Sequence, residues 1–139
     1  MKLVKKDGQN FEPNIHAETV DFKGETYDII IHDGDVGRAG HIASNNFLVK
    51  YDHIDLLIEQ FKGRKGNVDK YQGFEGFMLI RNGKKMTVLT GWSSTEAFQA
   101  WVDSEAFQNS HVKKEARVKA EGSEHLEEMP VRENYTVEV

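Results

Sequence analysis

Two tryptophans and a histidine, in the stretch from Trp92 to His111, are the residues whose types and spacing are best suited to chemistry. Indole rings offer large, rigid apolar surfaces, and a neutral imidazole can donate to a metal ion. The chain contains no cysteine, so histidine, aspartate or glutamate must hold any metal. A lone histidine near a helix end is also a common cap, because its protonated form interacts favourably with the helix dipole. His111 is therefore a candidate ligand with an alternative structural role.

A helix must position these side chains. Ser93 and Glu96 have the spacing of a capping box, in which each side chain bonds the backbone N–H of the other, so a helix is predicted to begin near Ser94. The apolar residues that follow recur every three to four positions, as on one helix face. A second capping signal at Asp103-Ser104 predicts a bend. The two helical pieces would bring the second tryptophan and the histidine towards one cavity.

The chain from residue 41 onwards alternates between strand and helix patterns. A helix capped by Asp52 is predicted to end by Gly63. Four strands are predicted, the middle two joined by Asn82-Gly83 as a type I′ hairpin loop: Ser44 to Tyr51, Phe74 to Arg81, Lys85 to Trp92 and Glu133 to Val139. The order βαββαβ predicts a ferredoxin-like α+β sandwich, a four-stranded antiparallel sheet with both helices on one face.

Residues 1 to 40 are predicted to form a separate N-terminal extension. Two strand patterns, Ile15 to Phe22 and Thr26 to His32, flank Lys23-Gly24-Glu25 as the arms of a hairpin would. Glycines at positions 34, 37 and 40 indicate a linker into the main domain. We therefore predict an accessory β-hairpin and linker over residues 1–40 and a ferredoxin-like domain over residues 41–139.

The predicted strand from Phe74 to Arg81 is apolar on both faces. A strand of this kind needs cover on each side of its sheet. The helices cover one side, and a second copy of the same sheet is the simplest cover for the other. This pattern predicts a homodimer.

Composition limits the class of protein. A chain of 139 residues with 38% hydrophobic residues is long enough for one globular domain. The sequence has no apolar run approaching ~18 residues and no signal-peptide pattern at its start, so a cytoplasmic protein that does not enter a membrane is expected. A net charge of −5 and the lack of a Lys/Arg stripe argue against nucleic-acid binding.

The stretch from Trp92 to His111 also resembles a known family signature. In the IsdG-type, heme-degrading branch of the antibiotic-biosynthesis-monooxygenase superfamily, the second helix reads approximately W-x-S-x-x-A-F-x-x-W-x-x-S-x-x-F-x-x-x-H. The matching residues are Trp92, Ser94, Ala97, Phe98, Trp101, Ser104, Phe107 and His111. The GFEGF run at residues 73–77 and the strand from Ser44 to Val49 resemble the family's other strands, and the resemblance covers about residues 43 to 139. The resemblance implies that the protein forms a dimeric α/β barrel.

The resemblance implies a role for three residues. His111 matches the axial iron ligand of heme, and Trp101 matches the tryptophan that presses the porphyrin out of plane. Asn46 matches the asparagine that donates a hydrogen bond to dioxygen at the iron. Heme would be both substrate and cofactor, and electrons would come from an external donor, with a reductase as the expected partner. Lys113, Lys114 and Arg117 are the nearby cations suited to the heme propionates.

The asparagine assignment carries an ambiguity of one residue, because Asn45 precedes Asn46. Neighbours on a strand face opposite ways, so only one of them can enter the pocket. The alignment of Phe47-Leu48-Val49 with the family favours Asn46.

The sequence thus predicts a heme-degrading monooxygenase that opens the porphyrin ring and releases iron. One alternative is cofactor-independent oxygenation of a small aromatic or quinol substrate, in which case His111 would be dispensable. Another is a non-catalytic ligand-binding or signalling barrel that uses residues 1–40 for contact. All three hypotheses share the fold and differ in what the cavity holds.

Overall fold

The computed structural model describes residues 1–64, 71–104, 107 and 125–138. Within these residues the strands are β1 Lys2–Val4, β2 Asn10–Phe11, β3 Asn14–Ile15, β4 Thr19–Phe22, β5 Glu25–Gly34, β6 His41–Leu48, β7 Phe74–Asn82, β8 Lys85–Trp92 and β9 Val131–Glu138. The helices are α1 Ile54–Arg64 and α2 Thr95–Val102, and 3-10 turns cover Val36–Arg38 and Tyr51–His53. No helix in this part of the chain is long and apolar enough to cross a membrane.

All strands join one antiparallel sheet in the order β2-β1-β9-β6-β8-β7-β5-β4-β3. Its four central strands, β9-β6-β8-β7, form the ferredoxin-like sheet. Along the chain, α1 lies between β6 and β7, and α2 lies between β8 and β9. The predicted βαββαβ order is therefore confirmed. Alternation along the strands, with apolar residues on both faces of the central ones, was sufficient to predict this order.

Two boundaries differ from the prediction. Strand β6 begins at His41 and ends at Leu48, because it pairs along its whole length with β8. Tyr51, the last residue of the predicted strand, instead lies in a 3-10 turn with 79% of its surface exposed. In the hairpin between β7 and β8, Asn82 pairs with Lys85, so the loop residues are Gly83 and Lys84. A positive φ at Gly83, the first of these, is a feature of a type II′ loop rather than the predicted type I′.

The N-terminal hairpin is present, but it is not separate from the main domain. Lys23 and Gly24 join β4 to β5 with φ angles of 54° and 80°, the pattern of a type I′ turn. Strand β5 then pairs with β7 and extends the central sheet. The division of the chain at residue 40 stays a prediction, although the two parts share one sheet.

The connection between β5 and β6 lies directly on two glycines of the sheet. A Cβ atom at Gly76 would stand 2.6 Å from the Val36 nitrogen, and one at Gly91 would stand 2.9 Å from the Ala39 Cβ. Side chains at these positions would clash, so only glycine permits this approach. Val36 and Ala39 are buried as a result, and the predicted linker is a packed part of the core.

The extension closes the face of the sheet that lies away from the helices, here called the barrel face. Strands β1 and β2 continue one edge of the central sheet, and β5, β4 and β3 continue the other. The ends meet: the rings of Phe11 and Phe22 are 5.0 Å apart, and both pack edge-on against Tyr135. The core on this face includes Leu3, Val20, Phe22, Ile42, Met78, Ile80, Leu89 and Tyr135.

An ion-pair cluster lies at the same junction. The Lys5 ammonium is 2.8 Å from one oxygen of the Glu133 carboxylate, and the Lys23 ammonium contacts the other. Lys5 follows β1, Lys23 follows β4, and Glu133 lies in β9, so this cluster joins both ends of the sheet to its centre.

The closed barrel face removes the main reason for predicting a homodimer. The prediction depended on a barrel face left open for a second copy, and this face is filled by the chain's own strands. A homodimer stays a prediction, and it would have to use another surface.

The opposite face, here called the helix face, is covered by α1 and α2. Residues of α1 pack on Val49, Leu79 and Met86, which are fully buried. The rings of Phe47 in β6 and Phe61 in α1 are 6.0 Å apart. Helix α2 covers the other end of the same face, where the Phe98 ring stacks on the His41 ring at 4.5 Å.

Candidate functional site

The contacts of His41 and Phe47 decide which asparagine faces the helices. His41 stacks on α2 and Phe47 packs on α1, so the odd-numbered residues of β6 point to the helix face. The pairing of β6 with both neighbours runs without a register shift. Asn45 therefore lies on the helix face, and Asn46 lies on the barrel face.

Asn46 cross-links three strands on the barrel face. Its amide nitrogen donates to the Val131 carbonyl at 2.9 Å and to the Ser44 hydroxyl at 3.2 Å. Its amide oxygen accepts from the Thr87 hydroxyl at 2.9 Å. The predicted placement of Asn46 in the pocket with Trp101 is therefore wrong, because its side chain points to the other face and bonds to β8 and β9.

Asn45, unlike Asn46, has a polar side-chain atom without a hydrogen-bond partner among the described residues. Its side-chain oxygen is buried and has no hydrogen-bond partner in the described part of the structure. Leaving a buried polar atom unpaired costs about 1–3 kcal/mol. Such a cost is characteristic of positions where a ligand or water completes the bonding. Across the sheet, Asn45 is paired with Val88 on one side and Arg132 on the other.

Helix α2 begins one residue later than the predicted capping box implies. The Ser94 hydroxyl accepts from the Ala97 N–H at 3.1 Å and is the N-cap. Ser93 instead donates its N–H to the Gly73 carbonyl at 2.7 Å, because the chain continues its pairing beyond β8. The second cap is confirmed: the Ser104 hydroxyl accepts from the Phe107 N–H at 3.2 Å.

The indole of Trp101 lies on the outer side of an aromatic cluster. It stacks on Trp92 with ring centres 5.0 Å apart and a 24° angle between the planes, and the Phe107 ring meets it edge-on at 4.7 Å. Trp92 is fully buried, and its indole N–H donates to the Thr90 hydroxyl at 3.1 Å. Trp101 itself is half-buried. One side of its ring system is fixed by packing.

His41 fixes α2 to the sheet beside this cluster. Its Nε2 lies 3.3 Å from the Asn134 side-chain oxygen, and its Nδ1 lies 3.2 Å from the Thr95 hydroxyl. A carbonyl oxygen only accepts, so Nε2 carries the proton and Nδ1 accepts from Thr95. Burial lowers the pKa of His41, although the bond to Asn134 opposes this. The imidazole is thus held neutral at the first turn of α2.

Arg132 connects the asparagine to the aromatic cluster. It is the direct cross-strand partner of Asn45 on β9. Its guanidinium carbon lies 5.4 Å from the centre of the Phe107 ring, which in turn contacts Trp101. The structure therefore places Asn45, Arg132, Phe107 and Trp101 in one continuous series on the helix face.

The remaining predicted site residues lie outside the described residues. These are His111 and the predicted propionate partners Lys113, Lys114 and Arg117. Within the described part of the chain, no group of three or more histidine, aspartate or glutamate side chains is placed to hold a metal ion. A heme iron needs only axial ligands from the protein, and His111 stays the prediction for that role.

The sequence profile of the antibiotic biosynthesis monooxygenase family matches residues 41–113. The chain belongs to this family. The match begins with the first residue of β6 and includes α1, β7, β8 and α2, so it contains Asn45 and Trp101. Residues 1–40 lie outside it.

Characterised relatives carry names that refer to heme. The chain is 30% identical over 81 residues to a "Heme-degrading monooxygenase" of Shouchella clausii, which covers 55% of this chain and 75% of the relative. It is 38% identical over 74 residues to a "Heme oxygenase (mycobilin-producing)" of Mycobacterium tuberculosis, with 51% and 70% covered.

Solved structures show the same fold at low identity. A heme-degrader from Mycobacterium tuberculosis with two hemes bound in its active site has a TM-score of 0.53 at 24% identity, covering 71% of this chain and 96% of that one. A ferredoxin-fold protein from Listeria monocytogenes related to antibiotic biosynthesis monooxygenases has a TM-score of 0.66 at 11% identity, covering 99% and 79%. A major regulator of staphylococcal pathogenesis has a TM-score of 0.67 at 15% identity, covering 97% and 82%. The last two extend over the N-terminal strands as well.

Two residues on the helix face, His41 and Arg132, were not predicted from the sequence, and Asn45 was considered but Asn46 was favoured. The signal for Asn45 is alternation, because Asn45 shares its face with Phe47 and Val49, which pack with residues of α1. Arg132 was missed because cations were sought near His111 along the chain rather than across the sheet. His41 lies before Ser44, the first residue of the predicted strand, so the strand pattern did not include it.

Proposed function

We propose that this chain is a heme-degrading monooxygenase whose substrate lies on the helix face, beside Asn45 and Trp101. The observation that carries the proposal is the buried side-chain oxygen of Asn45, which has no partner among the described residues and lies in the segment that matches the monooxygenase family. Relatives of the chain are named for heme degradation. Two features fit heme there: a half-buried indole supported from behind by Trp92, and a polar group that lacks a partner. Heme would supply the iron at which oxygen is activated, with electrons from an external donor.

The residues of the chain would act by position and hydrogen bonding. His111 would supply the axial nitrogen, as the resemblance implies. Trp101 would press on one face of the flat macrocycle, because its packing against Trp92 and Phe107 resists displacement. Asn45 would take the role first predicted for Asn46: its NH2 group would donate a hydrogen bond and stabilise negative charge without releasing a proton, whereas its unpaired oxygen can only accept one.

Hemin titration tests this function directly. A Soret absorption band should form at one equivalent of hemin and bleach when ascorbate is added in air with catalase present. A ferrous chelator should then detect released iron. Because free hemin also reacts slowly with ascorbate and oxygen, His111→Ala is the comparison: it should lose the band and the protein-dependent bleaching.

Two results would contradict the proposal. The first is the absence of a Soret band at stoichiometric hemin. The second is a band that persists unchanged under reductant and air, which would indicate binding without degradation. If the band is absent but the protein accelerates oxygen uptake by a quinol, and His111→Ala retains that activity, cofactor-independent oxygenation would replace the proposed function.

A further inference from the structure

Strand β9 brings a cation to the site from across the sheet. Arg132 and Asn45 are direct partners between β9 and β6, and residues opposite each other in antiparallel strands hold their Cβ atoms about 4.5–5.5 Å apart on the same face. The Arg132 side chain is exposed and extends to the Phe107 ring, with 5.4 Å between guanidinium carbon and ring centre. The cation therefore stands at the rim of the helix face, next to the unpaired amide.

The chemistry of this position suits a carboxylate. A guanidinium presents its N–H groups in a rigid planar fork that matches both oxygens of a carboxylate, and it can stack on an aromatic ring while doing so. The acidic neighbour along the strand, Glu133, points to the barrel face, where Lys5 and Lys23 contact it. The carboxylate of Glu133 therefore lies on the other face of the sheet from the guanidinium of Arg132.

We propose that Arg132 recognises a carboxylate of the substrate and selects planar macrocycles that carry one. This inference rests on the proposed function, in which the carboxylate is a heme propionate. The flat apolar part of such a ligand would lie against Trp101 and beside Asn45, and its carboxylate edge would reach the exposed rim at Arg132. Lys113, Lys114 and Arg117 lie outside the described residues and stay a separate prediction for this role.

The test compares hemin with its dimethyl ester, which keeps the iron and the ring but has no carboxylate charge. Each ligand is titrated in one solvent mixture, by Soret absorbance, into the wild-type chain, Arg132→Gln and Arg132→Lys. Arg81→Gln is the matched control, because Arg81 lies at the β7–β8 hairpin and bonds the Gly83 carbonyl at 2.9 Å. Circular dichroism checks that each variant is folded.

Arg132→Gln should bind hemin about tenfold more weakly, because it loses a charge-assisted hydrogen bond to the carboxylate. Its affinity for the ester should equal that of the wild type. Arg132→Lys should fall between the two, and Arg81→Gln should bind both ligands as the wild type does. Should Arg132→Gln fail to fold, the wild type alone provides a test, because it should prefer hemin to the ester by a similar factor.

Each contrary outcome has a distinct meaning. A wild type that binds no hemin would overturn the proposed function and this inference with it. A wild type that binds hemin while Arg132→Gln binds it equally well would overturn the inference alone. Equal weakening for hemin and ester would also overturn it, since Arg132 would then act by holding Phe107 in place.

Discussion

The two faces of the sheet are built from similar residues and completed in different ways. On the barrel face, the polar side chains of Ser44, Asn46 and Glu133 bond to groups of the same chain. The Tyr135 hydroxyl has no hydrogen-bond partner there, but the Lys23 ammonium lies 6.0 Å from its ring centre. On the helix face, the buried side-chain oxygen of Asn45 has no partner among the described residues, and the half-buried Trp101 lies on the same face. Asn45 and Asn46, adjacent in one strand, thus face two different surfaces. Groups of the chain itself bond to Asn46, whereas a ligand would complete the hydrogen bonding of Asn45.

The largest expected effect tests whether the extension is part of the core. Phe22 is 1% exposed and contacts Phe11, Tyr27 and Tyr135. Replacing it by alanine should lower the free energy of unfolding by about 3–5 kcal/mol, because a large cavity forms where both ends of the sheet meet. Urea unfolding followed by tryptophan fluorescence measures this.

The control for this variant is Ile15→Ala, on the same extension but 44% exposed, which should change the stability by less than about 1 kcal/mol. If Phe22→Ala unfolds like Ile15→Ala, the barrel face is not closed by the extension. The same packing means that removal of residues 1–40 would destroy a core, so a loss of partner binding on deletion would not identify a contact surface.

The asparagine pair gives the sharpest contrast between the faces. Asn46→Ala removes bonds to Ser44, Thr87 and Val131, so it should cost about 2–3 kcal/mol of stability and leave hemin binding unchanged. Asn45→Ala should cost less than about 1 kcal/mol, because it removes an atom without a partner, and should slow hemin breakdown about tenfold. Chemical denaturation and the rate of Soret bleaching measure the two effects. If Asn46→Ala slowed hemin breakdown and Asn45→Ala did not, the catalytic role would belong to Asn46 instead.

This pair also shows how far the sequence could predict the site. Alternation and a hairpin signal were sufficient for βαββαβ order, because these patterns are local. Alternation places Asn45 on the same face as Phe47 wherever the strand begins, but it does not say which face of the sheet the helices cover. Parity relative to the helices became certain only through the contacts of His41 and Phe47.

The closure of the barrel face was beyond local patterns. Pairing of β5 with β7 and of β1 with β9 joins residues far apart in sequence, and the sequence of an edge strand does not say which strand it pairs with. The Gly-rich connection read as a linker because its packing partners, Gly76 and Gly91, lie on other strands. Arg132 was missed for the same reason, since its neighbours on the helix face are brought to it by the sheet.

A smaller effect should appear as a pH dependence of the helix face. His41 is buried and its pKa is lowered, so the unfolded chain binds a proton more readily than the folded one. The contribution of His41 to the free energy of unfolding is fully present above the unfolded pKa of about 6.5. It decreases as the pH falls from that value towards the lower, folded pKa. In His41→Gln, which keeps a polar side chain without this titration, unfolding free energies between pH 7.5 and pH 5.5 should decline less steeply than in the wild type. Equal slopes would mean that His41 does not titrate differently in the two states.

The smallest expected effect concerns the ion pairs that join the ends of the sheet on the barrel face. The Lys23 and Lys5 ammonium groups lower the pKa of Glu133, although partial burial opposes this. The stabilisation is present above the unfolded carboxyl pKa of about 4.3 and is lost as the pH falls through the lower, folded value. Glu133→Gln should cost about 0.5–1 kcal/mol at neutral pH, and the difference should shrink in 1 M salt, since partly exposed pairs are screened. Glu59→Gln, whose pair with Lys62 lies within α1, is the control and should change the stability little. A cost for Glu133→Gln of several kcal/mol, unaffected by salt, would show that this carboxylate holds the barrel face together to the same degree as its aromatic core.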